Sequence, residues 1–249
     1  MLGLVQGLTE FLPVSSSGHL VLAQEYLGIA APGIVVEVAL HVATALAVLV
    51  YFRRRLKEIF SAASGGGRGW LRFVALIAVA SLPAAVVGLA LEGRIELLFE
   101  SSRAVGAALL FTGGVLAASS FVRRGDAKLA DMAFAAALAV GAAQALAIAP
   151  GVSRSGMTIV AGLLVGLAGA EAATFSFLLS VPAILGAAAL EATKIRAFQG
   201  DWTGLALAFG VAFVAGLAAI YVVLASARGR GFAWFGAYCA ALGLFALLI

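Results

Sequence analysis

The sequence predicts an all-α fold: a polytopic membrane helical bundle with inverted-topology repeats and two re-entrant helix hairpins. Three observations carry this prediction. The chain is strongly apolar, its charges are confined to short intervals, and a polar thirteen-residue segment near its start recurs 138 residues later.

Of 249 residues, 63% are hydrophobic and 11% are charged, with a mean hydropathy of +1.12. Water-soluble domains carry about 25% charged residues, so this surface is not built to face water all round. Seven stretches hold no Asp, Glu, Lys or Arg: Phe73–Leu91, Ala104–Val122, Met132–Ser153, Ser155–Ala170, Ala172–Leu190, Trp202–Ala227 and Gly231–Ile249. Most have the roughly 17–25 residues needed to cross a hydrocarbon core. An eighth, Gly33–Phe52, has the right length but carries Glu37 and His41. Several helices apolar on every side make a bundle embedded in lipid rather than an anchored soluble domain.

The net charge of +4 and pI near 9.6 would suit nucleic acid, but the placement of the charges excludes that partner. Arg53, Arg54, Arg55, Lys57, Arg68 and Arg72 fall in one interval between apolar stretches, and Arg123, Arg124 and Lys128 in another. Short basic loops mark the cytoplasmic side. The interval 92–103, with Glu92, Glu96 and Glu100 against Arg94 and Arg103, is expected outside. In the second half Lys194 and Arg196 balance Arg228 and Arg230, so charge does not orient it. No secretory signal peptide is expected, because the start lacks a basic region. The single Cys239 excludes a disulfide framework and is most simply packing.

The chain forms one domain, 1–249, with repeat 1 at about 1–127 and repeat 2 at about 128–249. Gln6 to Gly18 (QGLTEFLPVSSSG) aligns with Gln144 to Gly156 (QALAIAPGVSRSG), and Gln, Leu, Val, two Ser and the closing Gly coincide. Apolar bias supplies a Leu or a Val, but not an aligned Gln, two serines and a glycine. Three crossings separate the copies, at Gly33–Phe52, Phe73–Leu91 and Ala104–Val122. An odd number makes the copies enter from opposite faces and meet near the midplane. Each copy holds Pro, Gly and Ser in mid-segment, which favours a broken helix pair lining a wet cavity. A kinked helix packed by small residues is the plainer alternative for one copy; two matching copies favour the cavity.

Glu10 lies one turn after Gln6, so both share a helix face. An ionisable group at membrane depth is a functional candidate, although both could simply sit solvated at the interface. Pro13-Val-Ser-Ser-Ser-Gly-His19 follows, placing Ser15, Ser16, Ser17 and an imidazole close to the carboxylate. A Ser/Gly loop entering a helix offers hydroxyls, N–H groups and a positive dipole end to a phosphate. Glu10 and Gln6 present oxygen to a divalent cation such as Mg2+ or Ca2+, and His19 can exchange protons near neutral pH. Arg154, between Ser153 and Ser155 and followed by Gly156, is the only basic residue between Lys128 and Lys194. A snorkelling arginine is the plain alternative; the flanking serines and glycines favour a guanidinium forked onto phosphate. Two facing loops with this inventory describe phosphoryl chemistry at a lipid headgroup. Ser16 and Arg154 are then expected to reach one phosphate group.

Glu37 and His41, one turn apart, form either a supporting layer or an ordinary buried hydrogen-bonded pair. Gly162 and Gly166 make a GxxxG step, which means close packing more often than a specific dimer, and a homodimer is left open. Gly65–Gly67 lacks the GK[ST] of a nucleotide loop.

The sequence resembles the undecaprenyl-pyrophosphate phosphatases associated with bacitracin resistance. Gln6-Gly-Leu-Thr-Glu10 is similar to that family's (E/Q)xxxE motif, Pro13–His19 to its serine-rich loop, and Pro150–Gly156 to its PGxSRSG motif. Leu82–Leu91 and Phe175–Glu191 are similar too. The resemblance implies that Gln6 and Glu10 serve a divalent metal and the pyrophosphate. It makes His19 and Ser16 rival reacting groups, with Ser17 nearby, and has Arg154, Ser153 and Ser155 bind phosphate; of the two rivals His19 is favoured, because an unactivated hydroxyl is a poor nucleophile without a base. It implies hydrolysis of undecaprenyl pyrophosphate to the monophosphate carrier of cell-wall polymers, in a multi-pass protein of the bacterial plasma (inner) membrane with its site facing the outer, periplasmic side. Three features depart from the family. His41 stands where it often has Gln, Phe235 is followed by Gly236 rather than Arg, and only five residues precede Gln6. Inverted repeats with midplane loops also describe lipid or ion transporters, the main rival, with a non-catalytic scaffold a distant third. The concentration of Ser, His, Arg and Glu in two loops speaks against both.

Overall fold

The computed structural model describes residues 1–28, 33–61, 69–123, 125–193, 195, 200–229 and 231–248, without the side chains of Leu27, Ser61, Glu92 and Glu96. The Gly65–Gly67 loop and Arg68, Arg124, Lys194, Arg196 and Arg230 lie outside the described residues. Among those described there are eleven α-helices and no strand: α1 Leu2–Phe11, α2 Ser16–Leu27, α3 Ile34–Tyr51, α4 Arg53–Ser61, α5 Gly69–Phe99, α6 Ser102–Ala118, α7 Phe134–Leu146, α8 Arg154–Leu164, α9 Gly169–Ala192, α10 Trp202–Arg228 and α11 Phe232–Leu248. Helices α3, α5, α6, α9 and α10 are long and apolar enough to cross a membrane, which makes this a multi-pass bundle. Helices α1, α2, α7 and α8 have only 10 to 13 residues, too few for a full crossing.

Helix α5 is longer than its charge-free stretch. It runs 31 residues, about 46 Å at ~1.5 Å per residue, so most of the interval 92–103 is helix rather than loop and only Glu100 and Ser101 separate α5 from α6. Charge marks where a helix leaves lipid, but an α-helix needs a capping or breaking residue to stop. Ser101 supplies that signal by accepting from the N–H of Ala104 at 3.2 Å.

Lipid gives apolar helices little reason to prefer each other over the bilayer, so close contact between small residues decides the packing. Gly3 and Gly7 of α1 lie against Ala208 and Ala212 of α10, running parallel. Gly141 of α7 lies against Ala80 of α5, and Ile148 approaches Gly88, again parallel. Helices α6 and α11 run antiparallel, Gly106 facing Gly243 and Gly113 facing Gly236; a Cβ on Gly113 would stand 2.8 Å from the Gly236 carbonyl oxygen. Helices α3 and α9 are antiparallel as well: Phe52 is 6.3 Å from Phe177 between ring centroids, while His41 and Ala187 share one cavity wall.

The two basic intervals lie at the same end of the bundle. Arg55 donates to both Glu171 oxygens (3.4 and 3.3 Å), and Glu171 also accepts from the Leu129 N–H at 3.0 Å. Arg72 donates to the Ala130 and Met132 carbonyls, both at 2.6 Å. These contacts tie α4, α5 and the 123–131 connection to the start of α9.

Candidate active site

Each short helix pair is broken by a turn that carries its own cap. In the first, the Ser15 hydroxyl accepts from the N–H of Gly18 at 3.3 Å and lies 3.3 Å from the Ser17 hydroxyl. In the second, Ser153 accepts from the N–H of Gly156 at 3.1 Å and lies 3.3 Å from Ser155. The Ser-x-Ser-Gly pattern shared by the two copies is therefore one capping device used twice. The turns touch directly. A Cβ on Gly18 would lie 3.1 Å from Cα of Gly151, and Ser155 donates to the Leu12 carbonyl at 3.3 Å. Thr112 of α6 fixes the second turn, donating to the Gly151 carbonyl at 2.9 Å and accepting from the Ser153 N–H at 3.1 Å. Gly151, at φ 91°, packs so closely on α6 that a Cβ would meet the Val105 carbonyl oxygen at 2.5 Å.

Where the turns meet there is a cavity of about 270 Å³, lined by Thr9, Glu10, Ser15, Ser16, Ser17, His41, Ala147, Ile148, Val152, Ser153, Arg154, Ala183, Ile184 and Ala187. Glu10, buried, is its hub. One oxygen accepts from Ser16 at 2.8 Å and from Gln6 at 2.9 Å; the other is ion-paired with Arg154, 144 residues away. Arg154 also donates to the Ser180 carbonyl at 3.3 Å. Helices α2 and α8 begin at Ser16 and Arg154, so two N-termini, with their unpaired N–H groups and positive dipole ends, bound the same space. A carboxylate, a guanidinium, hydroxyls and two helix N-termini around one cavity suit an anionic oxygen-rich group such as a phosphate.

The residues anticipated from the sequence do not all arrive at the same place. Glu10, Ser15, Ser16, Ser17, Ser153 and Arg154 line the cavity. Gln6 lies behind Glu10 and is bonded to it; Ser155 and Gly156 serve the turn. His19 is not in the lining. Its Nδ1 faces the Ser15 carbonyl at 2.8 Å and its Nε2 the Tyr238 hydroxyl at 2.7 Å, with the two rings stacked at 5.6 Å, and it borders a separate apolar pocket between α1, α2 and α11. A carbonyl only accepts, so Nδ1 carries the proton and Nε2 accepts from Tyr238. The histidine in the cavity is His41. Its Nδ1 lies 3.1 Å from the Glu37 carbonyl oxygen and 3.5 Å from Gln6 Nε2.

Sequence reading missed Thr9, the α9 wall of Ala183, Ile184 and Ala187, and the Ser180 and Tyr238 contacts. The one local signal was Pro182, which interrupts the hydrogen-bond ladder of α9 near Ser180. Tyr238 gave none, being 219 residues from its partner.

Comparison with known proteins identifies the chain's relatives. A family model described as "Bacitracin resistance protein BacA" matches residues 1–245. An undecaprenyl-diphosphatase of Desulfosudis oleivorans is 42% identical, covering 98% of this chain and 94% of its own. One from Desulforudis audaxviator is 41% identical over 100% and 95%, and one from Desulforapulum autotrophicum 38% over 100% and 96%. The match runs through both turns that build the cavity and nearly end to end, and on that ground the chain belongs to the BacA family of bacitracin resistance proteins.

Proposed function

We propose that this chain hydrolyses undecaprenyl diphosphate to undecaprenyl phosphate and inorganic phosphate, returning the lipid carrier to cell-wall polymer synthesis. The observation that carries the proposal is the convergence of Ser16, Glu10 and Arg154 on one cavity from turns 138 residues apart. The relatives are named for the same reaction. Transport is the weaker reading, because the relatives are named for hydrolysis and a hydroxyl donating to a carboxylate beside an arginine suits an activated nucleophile at a phosphate.

The diphosphate lies between the N-termini of α2 and α8, with Arg154 forked onto its non-bridging oxygens. Ser16 Oγ attacks the terminal phosphorus while its proton passes to Glu10, whose carboxylate already accepts that hydroxyl. The bond from phosphorus to the bridging oxygen breaks, and undecaprenyl phosphate leaves. Water then cleaves the phosphoserine, releasing inorganic phosphate and restoring Ser16, and Glu10 gives up its proton. Ser16 is preferred to His19 because the imidazole lies outside the cavity with both nitrogens engaged. His19 instead positions Ser15, whose backbone at φ 67° is held in a region that non-glycine residues rarely occupy.

The residues fit a divalent cation. Gln6 Oε1 is buried without a hydrogen-bond partner among the described residues, and its amide is oriented by donating to Glu10. An orphaned amide oxygen, on a side chain whose Nε2 holds the Glu10 carboxylate, adds a second hard-cation donor to that carboxylate, suited to Mg2+ or Ca2+ and incomplete until diphosphate oxygens and water join it. Among the described residues no three His, Cys, Asp or Glu side chains gather as an all-protein site. When bound, the ion neutralises charge on the diphosphate.

The chain sits in the bacterial plasma membrane as two inverted repeats whose short helix pairs are re-entrant, and the cavity opens to the outer face. Helix contacts support the inversion. The parallel pair α1 with α10 has its counterpart in α7 with α5. The pairs expected to lie across the axis, α6 with α11 and α3 with α9, are antiparallel, as an axis in the membrane plane requires.

The test is phosphate release from a long-chain prenyl diphosphate by purified protein, with Mg2+ and with chelator, followed by a quench in neutral denaturant, which spares both phosphoserine and acid-labile phosphohistidine, and mass spectrometry. The expected result is metal-dependent release and a phosphate on Ser16. No release in either condition removes the enzyme reading; release with phosphate trapped on His19 reverses the choice of nucleophile.

A further inference from the structure

His41 is one of only two histidines, and the other lies outside the cavity. Its tautomer follows from its neighbours. The Glu37 carbonyl oxygen, 3.1 Å from Nδ1, can only accept, whereas the contact with Gln6 Nε2 at 3.5 Å is at the limit of a hydrogen bond. The closer partner places the proton on Nδ1, which leaves the lone pair on Nε2. That nitrogen has no hydrogen-bond partner among the described residues, yet it is not among the buried unsatisfied atoms. His41 lines the cavity of Glu10 and Arg154, so Nε2 is the ring nitrogen left for a ligand there. A neutral imidazole with Nδ1–H on a backbone carbonyl and Nε2 free is the arrangement in which histidines bind metals: the carbonyl fixes the ring and raises its basicity. Gln6 joins the two groups: its Nε2 donates to Glu10 and approaches His41 at Nδ1, and its own amide oxygen is unpartnered among the described residues.

We infer that His41 Nε2 is a nitrogen ligand to the divalent cation held by Glu10 and Gln6, and that it biases this site towards Mn2+ and Co2+ over Mg2+ and Ca2+. The inference rests on the proposed cation site. Carboxylate, amide and phosphate oxygens alone suit the hard ions, while one imidazole raises affinity along the first transition row.

The experiment is electron spin-echo envelope modulation on the full chain, purified without a polyhistidine tag and loaded with Mn2+. The wild type is expected to show imidazole 14N modulation. Protein grown on 15N-histidine should exchange that signal for 15N, an assay that needs no substitution and so does not depend on a variant folding. His41→Gln should abolish the modulation and weaken Mn2+ binding at least about tenfold, with a smaller change for Mg2+, while His19→Gln keeps the modulation. Absence of nitrogen modulation in the wild type, its persistence in His41→Gln, or failure of Mn2+ to bind overturns the inference. Metal-dependent phosphate release by the wild type in those same outcomes leaves the diphosphatase reading standing; absence of release ends both.

Discussion

The two turns that form the cavity share a scaffold and divide the chemistry. Ser15 and Ser153 cap their helices in the same way, and each has the second serine of its copy beside it at 3.3 Å. At the position between those serines one copy has Ser16 and the other Arg154. Six residues earlier Glu10 faces Ile148 in the alignment, and three residues later His19 faces Met157. The aligned glutamines show the consequence. Gln6 donates to Glu10, whereas Gln144 is buried with neither amide atom partnered among the described residues. A duplicated cap can hold either a hydroxyl or a cation, but an anionic centre next to a phosphate site is tolerable only once. Two carboxylates at that depth would repel both each other and the substrate.

That division can be broken from either side. Glu10→Gln should have the largest effect, a loss of about a thousandfold or more in phosphate release, because it removes the acceptor of the Ser16 proton and the counter-ion of Arg154 together. Substantial metal-dependent turnover by that variant would move the base and the cation elsewhere. Arg154→Lys should lose about a hundredfold, since an ammonium keeps the charge but not the two-pronged contact; recovery near the wild type would reduce Arg154 to a point charge. His19→Ala should cost less, about ten- to a hundredfold, by freeing the strained turn at Ser15 rather than by removing a reacting group, and Tyr238→Phe less still. Complete inactivity of His19→Ala with substrate still bound would restore the imidazole as nucleophile. The smallest effect is on stability. Gln144→Leu should raise the thermal midpoint, by roughly 1–2 kcal/mol of stabilisation, because an unpartnered buried amide is replaced by a side chain of similar volume. Gln6→Leu, in the equivalent place, should instead lower phosphate release.

Much of this protein was legible before folding. A run of apolar residues in lipid must satisfy its backbone internally, so composition and charge spacing alone dictated helices and the main spans. The turns were legible because Pro, Gly and Ser act locally: the aligned Ser-x-Ser-Gly segments set two caps through contacts within three residues. That Glu10 and Arg154 are candidates for the site was legible from the cost of burying a charge, and the fold pairs them in one cavity. What only the tertiary structure decided is which side of each helix meets which. In the sequence His19 looked better suited to react than Ser16, which lies three residues before it on the same segment. At about 100° per residue the two lie roughly 60° apart around the helix and most of a turn apart along its axis. That offset is enough to put Ser16 on Glu10 and His19 on Tyr238. His41 and the α9 wall entered the cavity through close packing of small residues, whose partners no single-chain pattern specifies because glycine and alanine fit many surfaces equally well.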